Sequence, residues 1–319
     1  MVRADMVPHD LPEDASLQRQ DTAMTITAPA APETTITPLP AWQPDPADPP
    51  VAWRVNAETA TLLGWGAAVL LQLAHPLVAA GVADHSIAIK EPERRLERLT
   101  ATIRAMLLIT FGTEEERQRT ADRINRIHDH IHGELGDTVG PHGAGARYSA
   151  HDPALLAWVQ ATLVLTLPRA YELFVGPLTA AEKDRYTLES TAMGPLLGIP
   201  ARLLARDYAS VEAEVAARIA DGTITVGPTA RALGRDIVSP RRPRWAPLLS
   251  PLTALPTIGL LPPAVRAAYG FPWGPGHERA LRSFAAITRV VIPRLPRLIH
   301  HWPGARRAYR LLGTGKLGY

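Results

Sequence analysis

The chain of 319 residues contains no cysteine. That absence excludes disulfides, thiolate haem ligation, iron–sulfur clusters and cysteine zinc sites together. Any metal must therefore use histidine, carboxylate or other oxygen ligands. Lysine is scarce too, since 31 of the 34 basic residues are arginine. No segment alternates apolar and polar residues as a half-buried strand would, and no fixed-period repeat is visible. No basic segment leads into an apolar run of the secretory type, so a cytoplasmic location is expected. Nor is there an aromatic-interleaved basic stripe or a zinc module, and nucleic acid is not an expected partner.

What is present is 46% hydrophobic sequence, enough for a large core. Residues 1–50 carry ten of the 31 prolines and no apolar period, which predicts a disordered tail followed by one domain over 51–319. Leu62–Val82 is apolar enough to raise the question of a membrane span, but Gln72, His75 and Pro76 interrupt it. A buried helix followed by a second short helix is the better reading. Charge is uneven. From Pro240 to Tyr319 thirteen basic residues face the single acid Glu278, although the whole chain is only +3. That arginine-rich part suits anchoring the carboxylates of a ligand, salt bridging to the acidic first half, or peripheral contact with a membrane surface.

Helical signals recur along the chain. Expected helices are Ala57–Leu73, Pro76–Asp84, Pro92–Phe111, Glu114–His132, Pro153–Phe174, Ala180–Met193, Asp207–Ala220, Pro228–Ile237, Pro262–Tyr269 and His277–Ile292, with a short one near the C-terminus. Loops are expected at Gly136–Gly145 and Pro240–Pro256. Thr113 with Glu116, and Thr179 with Glu182, read as capping boxes; Asp152 precedes Pro153, and Gly227 precedes Pro228. The expected fold is an all-α, single multi-helix domain.

One histidine stands out on this background. In the helix begun at Thr113, Ile124, Ile127 and Ile131 fall at helical spacing and His128 lies among them, whereas His130 points to the charged side. Gly133 would supply a left-handed stop. An inward imidazole must be hydrogen-bonded or must bind something. Either a satisfied core histidine or a ligand meets that demand. His132, one turn further on, would share the face and is the alternative ligand if the register shifts.

The order of three motifs adds to this. Leu70–Ser86, reading Leu-Leu-Gln-Leu-Ala-His-Pro-Leu-Val-Ala-Ala-Gly-Val-Ala-Asp-His-Ser, is followed by an arginine-rich helix closing at Phe111-Gly112, and then by Ile127–Gly133. Weaker matches continue through Asp152-Pro153 with Trp158, Pro228–Ala232 and Ala268–Trp273. This order resembles the haem-dependent oxygenases that include fungal MpaB and the bacterial latex-clearing rubber oxygenases.

The resemblance implies a globin-like helical core, haem b as cofactor, and oxygenase chemistry with O2 on a small apolar substrate, alkene-bearing or isoprenoid-like. It implies His128 as the proximal iron ligand, and His132, one turn along the same face, could then hydrogen-bond a propionate or itself be the ligand. It implies a distal arginine and threonine four residues apart, a spacing that Arg98 and Thr102 hold; Arg95 and Thr100 fit an alternative register. Some relatives place a lysine just before the threonine. Ala101 stands there, which points away from long polyisoprene. His75 and His85 are shared motif residues: His75 sits at a helix break where its ring can satisfy freed backbone carbonyls, and Asp84, His85 and Ser86 can cap a turn and line the haem edge.

Other classes fit less of the sequence. A di-iron bundle needs two carboxylate-x-x-His pairs, and only Asp129 with His132 supplies one. A zinc hydrolase would use His128 and His132 but lacks the adjacent Glu base. A non-catalytic haem carrier or sensor would use His128 without oxygen chemistry.

Overall fold

The computed structural model describes residues 45, 47–86, 95–239 and 246–313, with the side chains of 95, 96 and 246–249 excepted. The expected tail lies outside them except at its end. There Asp48 pairs with Arg185 at 2.6 Å.

Among the described residues the chain is helical apart from one two-stranded hairpin. The elements in order are α1 Val51–Ala57, a 3-10 turn Thr59–Thr61, α2 Leu62–Leu73, α3 Pro76–His85, α4 Arg95–Phe111, α5 Glu114–His128, β1 His132–Glu134, β2 Arg147–Ser149, α6 Pro153–Phe174, α7 Ala180–Thr191, α8 Tyr208–Ala220, α9 Pro228–Val238, α10 Ala246–Gly259, α11 Pro263–Tyr269, α12 Pro275–Val291, α13 Arg297–His300 and α14 Pro303–Leu311. The expected all-α class holds.

The starts follow the local chemistry. Both reciprocal bonds of the capping box form at α5, where the Glu116 amide donates to Thr113 Oγ1 at 3.2 Å and the Thr113 amide to Glu116 Oε2 at 3.0 Å. The same pair forms between Thr179 and Glu182 at α7. Asp152 accepts from the Ala154 amide at 2.8 Å, with Pro153 in the first turn of α6.

Helix α6 is the hub of the main core. Trp158, Val164 and Phe174 are all buried along it. α2 crosses it closely, because a Cβ at Gly64 would lie 2.6 Å from that of Ala170. Only glycine permits that approach.

The apolar stretch 62–82 is two helices bent by 105°, and no single described helix is long and apolar enough to cross a membrane. Side chains from distant helices pin the end of α2, each adding a second donor to a carbonyl that already accepts from the Ala74 or His75 amide. Tyr269 Oη donates to the Leu70 carbonyl at 2.6 Å, and Trp158 Nε1 donates to that of Gln72 at 3.4 Å.

Several expectations fail for reasons of packing. α1 was not foreseen, and the helix expected from Ala57 begins as a 3-10 turn and becomes α2 at Leu62. Of the expected loop Pro240–Pro256, residues 240–245 lie outside the described set. The remainder is helix α10, with Pro251 and Pro256 inside it. Its buried Thr257 occupies the space left by the missing side chain of Gly66 on α2. Tertiary burial there outweighs the local penalty of proline.

The helix expected to reach His132 stops at His128, and the chain turns into the hairpin β1–β2, with Gly133 opposite Tyr148. Gly133 is not a left-handed stop. It is a glycine because the Tyr148 hydroxyl lies 2.5 Å from where its Cβ would stand.

Candidate functional site

His128 closes α5 as a half-buried residue. Its Nδ1 is buried and has no hydrogen-bond partner among the described residues. The ring meets His151 edge-on with centroids 5.9 Å apart, while His151 Nε2 lies 2.8 Å from Asp129 Oδ1. Burial is the main cause that pulls the His128 pKa below the ordinary histidine value. His151 and the Arg98 guanidinium add to the effect, and the Asp129 carboxylate opposes it. At neutral pH the imidazole is uncharged, the form that binds a metal. Ile124 and Ile131 are half-buried as the stripe requires, but Ile127 turns outward at 45% exposure.

The influence of Arg98 on His128 places that charge on the His128 side of α4, which packs on α5. Thr102 stands one turn along. It is exposed, and its hydroxyl donates to the Arg98 carbonyl at 3.0 Å. The apolar residue between them, Leu99, is 45% exposed, and half-buried side chains on α4 begin at Ile103. Of the alternative pair, the Arg95 side chain lies outside the described residues and Thr100 is exposed.

The remaining motif histidines are placed elsewhere. His75 is buried and caps α3: its Nδ1 accepts from the Leu77 amide at 3.3 Å. It thus serves a freed backbone N–H, where freed carbonyls had been expected. Burial, with the nearby His142 and Arg218, lowers its pKa to about 4. His85 Nε2 lies 3.1 Å from the His132 carbonyl, and Tyr148 Oη donates to Asp84 Oδ2 at 2.6 Å. A ring nitrogen facing a carbonyl must carry hydrogen, which fixes the tautomer of His85. This group therefore docks the hairpin onto α3. His132 sits on β1 with an exposed side chain, so it does not continue the helical face of His128 as the spacing suggested.

A further group escaped the sequence reading. Glu58, at the end of α1, is 1% exposed and takes His300 Nδ1 on one carboxylate oxygen and His301 Nε2 on the other, each at 2.9 Å. The only local sign was a histidine pair between Ile299 and Trp302, and nothing in the sequence links it to Glu58. An apolar cleft nearby is lined by Asn56, Thr61, Ile103, Met106, Leu167 and Trp302 among others.

One observation marks His128 as a candidate metal ligand, the orphaned buried nitrogen of an uncharged imidazole. Leaving such an atom unpaired costs on the order of 1–3 kcal/mol, which a ligand would offset. No curated protein and no solved structure matches the chain. A family model, ER-bound oxygenase mpaB/B'/Rubber oxygenase, catalytic domain, matches residues 53–290 of the 319. The chain therefore belongs to the mpaB/rubber oxygenase family, and its matched region is an oxygenase catalytic domain.

Proposed function

We propose that this protein is a haem b-dependent oxygenase that uses O2 on a small apolar substrate, alkene-bearing or isoprenoid-like. The observation that carries the haem assignment is the buried, unpartnered Nδ1 of the neutral His128. Family membership supports the oxygenase class.

In this reading His128 would hold the iron and Arg98 would balance a propionate. Haem, when bound, supplies the electrons and the open coordination position that make O2 reactive toward a carbon–carbon double bond. The chain's own residues set the surroundings. Asp129 anchors His151 at 2.8 Å, and burial keeps His128 uncharged. The Thr102 hydroxyl can turn from the Arg98 carbonyl to donate toward a ligand, because an exposed bond of this kind costs about 1 kcal/mol or less to give up. Leu99 and Ile127 offer apolar surface that an apolar substrate can cover, excluding water.

The arginine-rich C-terminal part supports peripheral contact with an anionic membrane. Leu298 and Ile299 are 73% and 61% exposed on α13, beside Arg294, Arg297 and Arg306.

A visible spectrum with iron analysis of the freshly purified protein tests the cofactor. Product analysis under oxygen with a small alkene then separates an oxygenase from a haem carrier or sensor. Iron-free protein without a haem band would overturn the cofactor assignment.

A further inference from the structure

Glu58, His300 and His301 form a buried polar group. They are 1%, 4% and 3% exposed, and one ligand atom from each lies within 4.8 Å of the other two. Among the described residues no other three His, Asp or Glu side chains converge in this way. The backbone fixes both sides of the group. Glu58 and His301 pair as an isolated antiparallel bridge, the Trp302 amide donates to the Ala57 carbonyl at 3.1 Å, and Thr61 Oγ1 donates to the Glu58 carbonyl at 2.7 Å.

Two imidazoles and a carboxylate are a donor set that suits first-row divalent ions, and with three protein ligands a fourth position stays open. Tetrahedral zinc bonds of about 2.0–2.1 Å set ligand atoms roughly 3.3 Å apart. The two 2.9 Å contacts run to different carboxylate oxygens, and an ion between them would draw one ligand atom from each residue, all within 4.8 Å of one another, to about that spacing.

We propose that Glu58, His300 and His301 bind one divalent transition ion, with zinc as the reference case, at a second metal centre separate from His128. Each histidine presents a lone pair where it now presents N–H to the carboxylate. The ion clamps α13 to the end of α1, joining parts of the chain more than two hundred residues apart. Glu58 lies within the region the family match covers and His300 and His301 lie beyond its end at residue 290, so the matched region alone does not supply this group. It does not rest on the haem assignment.

The test uses the full chain stripped with a chelator and titrated with zinc chloride by calorimetry, alongside the variants Glu58→Gln, His300→Ala and His128→Ala. One zinc equivalent is expected for the wild type and for His128→Ala, with affinity falling roughly a hundredfold or more in Glu58→Gln and His300→Ala. Because those two variants remove a buried partner and can unfold, the stripped wild type is also melted with and without excess zinc. A rise in its thermal midpoint is expected, since an ion that binds the folded state stabilises it by mass action. An unmoved midpoint with no bound equivalent, unchanged affinity in Glu58→Gln, or loss of the equivalent in His128→Ala would each overturn the proposal and leave the group as a hydrogen-bonded tether.

Discussion

Thr102 Oγ1 donates to the carbonyl oxygen of Arg98, one turn back on α4, at 3.0 Å. The bond is exposed, so removing it should barely touch stability. Thr102→Val keeps the branched shape and deletes the donor. Its unfolding free energy is expected to change by less than about 1.5 kcal/mol, while O2 turnover falls roughly tenfold or more. Unaltered turnover would take Thr102 out of the site. Arg98→Leu removes a cation that depresses the His128 pKa, so an NMR titration should find that pKa raised toward the ordinary histidine value, together with weaker haem retention.

His128→Ala should give folded, haem-poor protein, and His130→Ala should keep its haem because that side chain is exposed. His132→Ala should behave like His130→Ala, since His132 lies on the hairpin and meets His85 through its backbone carbonyl alone. Haem content per folded protein, from the visible band and iron analysis, reads all three. Equal occupancy in the His128 and His130 variants would refute the ligand assignment.

His75 predicts an acid limb of the stability profile. Its folded-state pKa is about 4, against 6.5 for the free side chain. Between these values the unfolded chain binds the proton and the folded chain does not. Stability contributed by neutral His75 is thus fully present above pH 6.5 and is lost as the pH falls toward 4, by at most about 3 kcal/mol. His75→Asn retains an N-cap acceptor without a titrating group, so its urea midpoint should fall less steeply over the same range. Parallel slopes for the two proteins would show that His75 is not the group responsible.

Gly133→Ala should destabilise the hairpin by about 1–3 kcal/mol, because the new methyl would meet the Tyr148 hydroxyl and ring. Adding Tyr148→Phe removes the nearest atom and should recover part of the loss. Thermal melts of the single and double variants check this. A cost unchanged by Tyr148→Phe would place the strain elsewhere.

The helix starts at Glu114, Pro153 and Ala180, the all-α class and the break at His75-Pro76 were settled by neighbours in sequence. Capping boxes at Thr113 and Thr179, and the proline after Asp152, act over three residues or fewer, so reading the chain suffices. The inward placing of His128 was likewise written in its helical spacing from Ile124. Other features needed partners from distant parts of the chain. Whether α5 ran on to His132 or yielded to a strand depended on Tyr148, whose hydroxyl fills the space beside Gly133 and reaches Asp84 on α3. Whether Pro251 and Pro256 broke a helix depended on how Thr257 seats against Gly66. The meeting of Glu58 with His300 and His301 spans 242 and 243 positions, and each residue alone looks like ordinary polar sequence. Local hydrogen bonding selects an element within a few residues, whereas burial of a polar or bulky group is decided by whatever the fold brings against it.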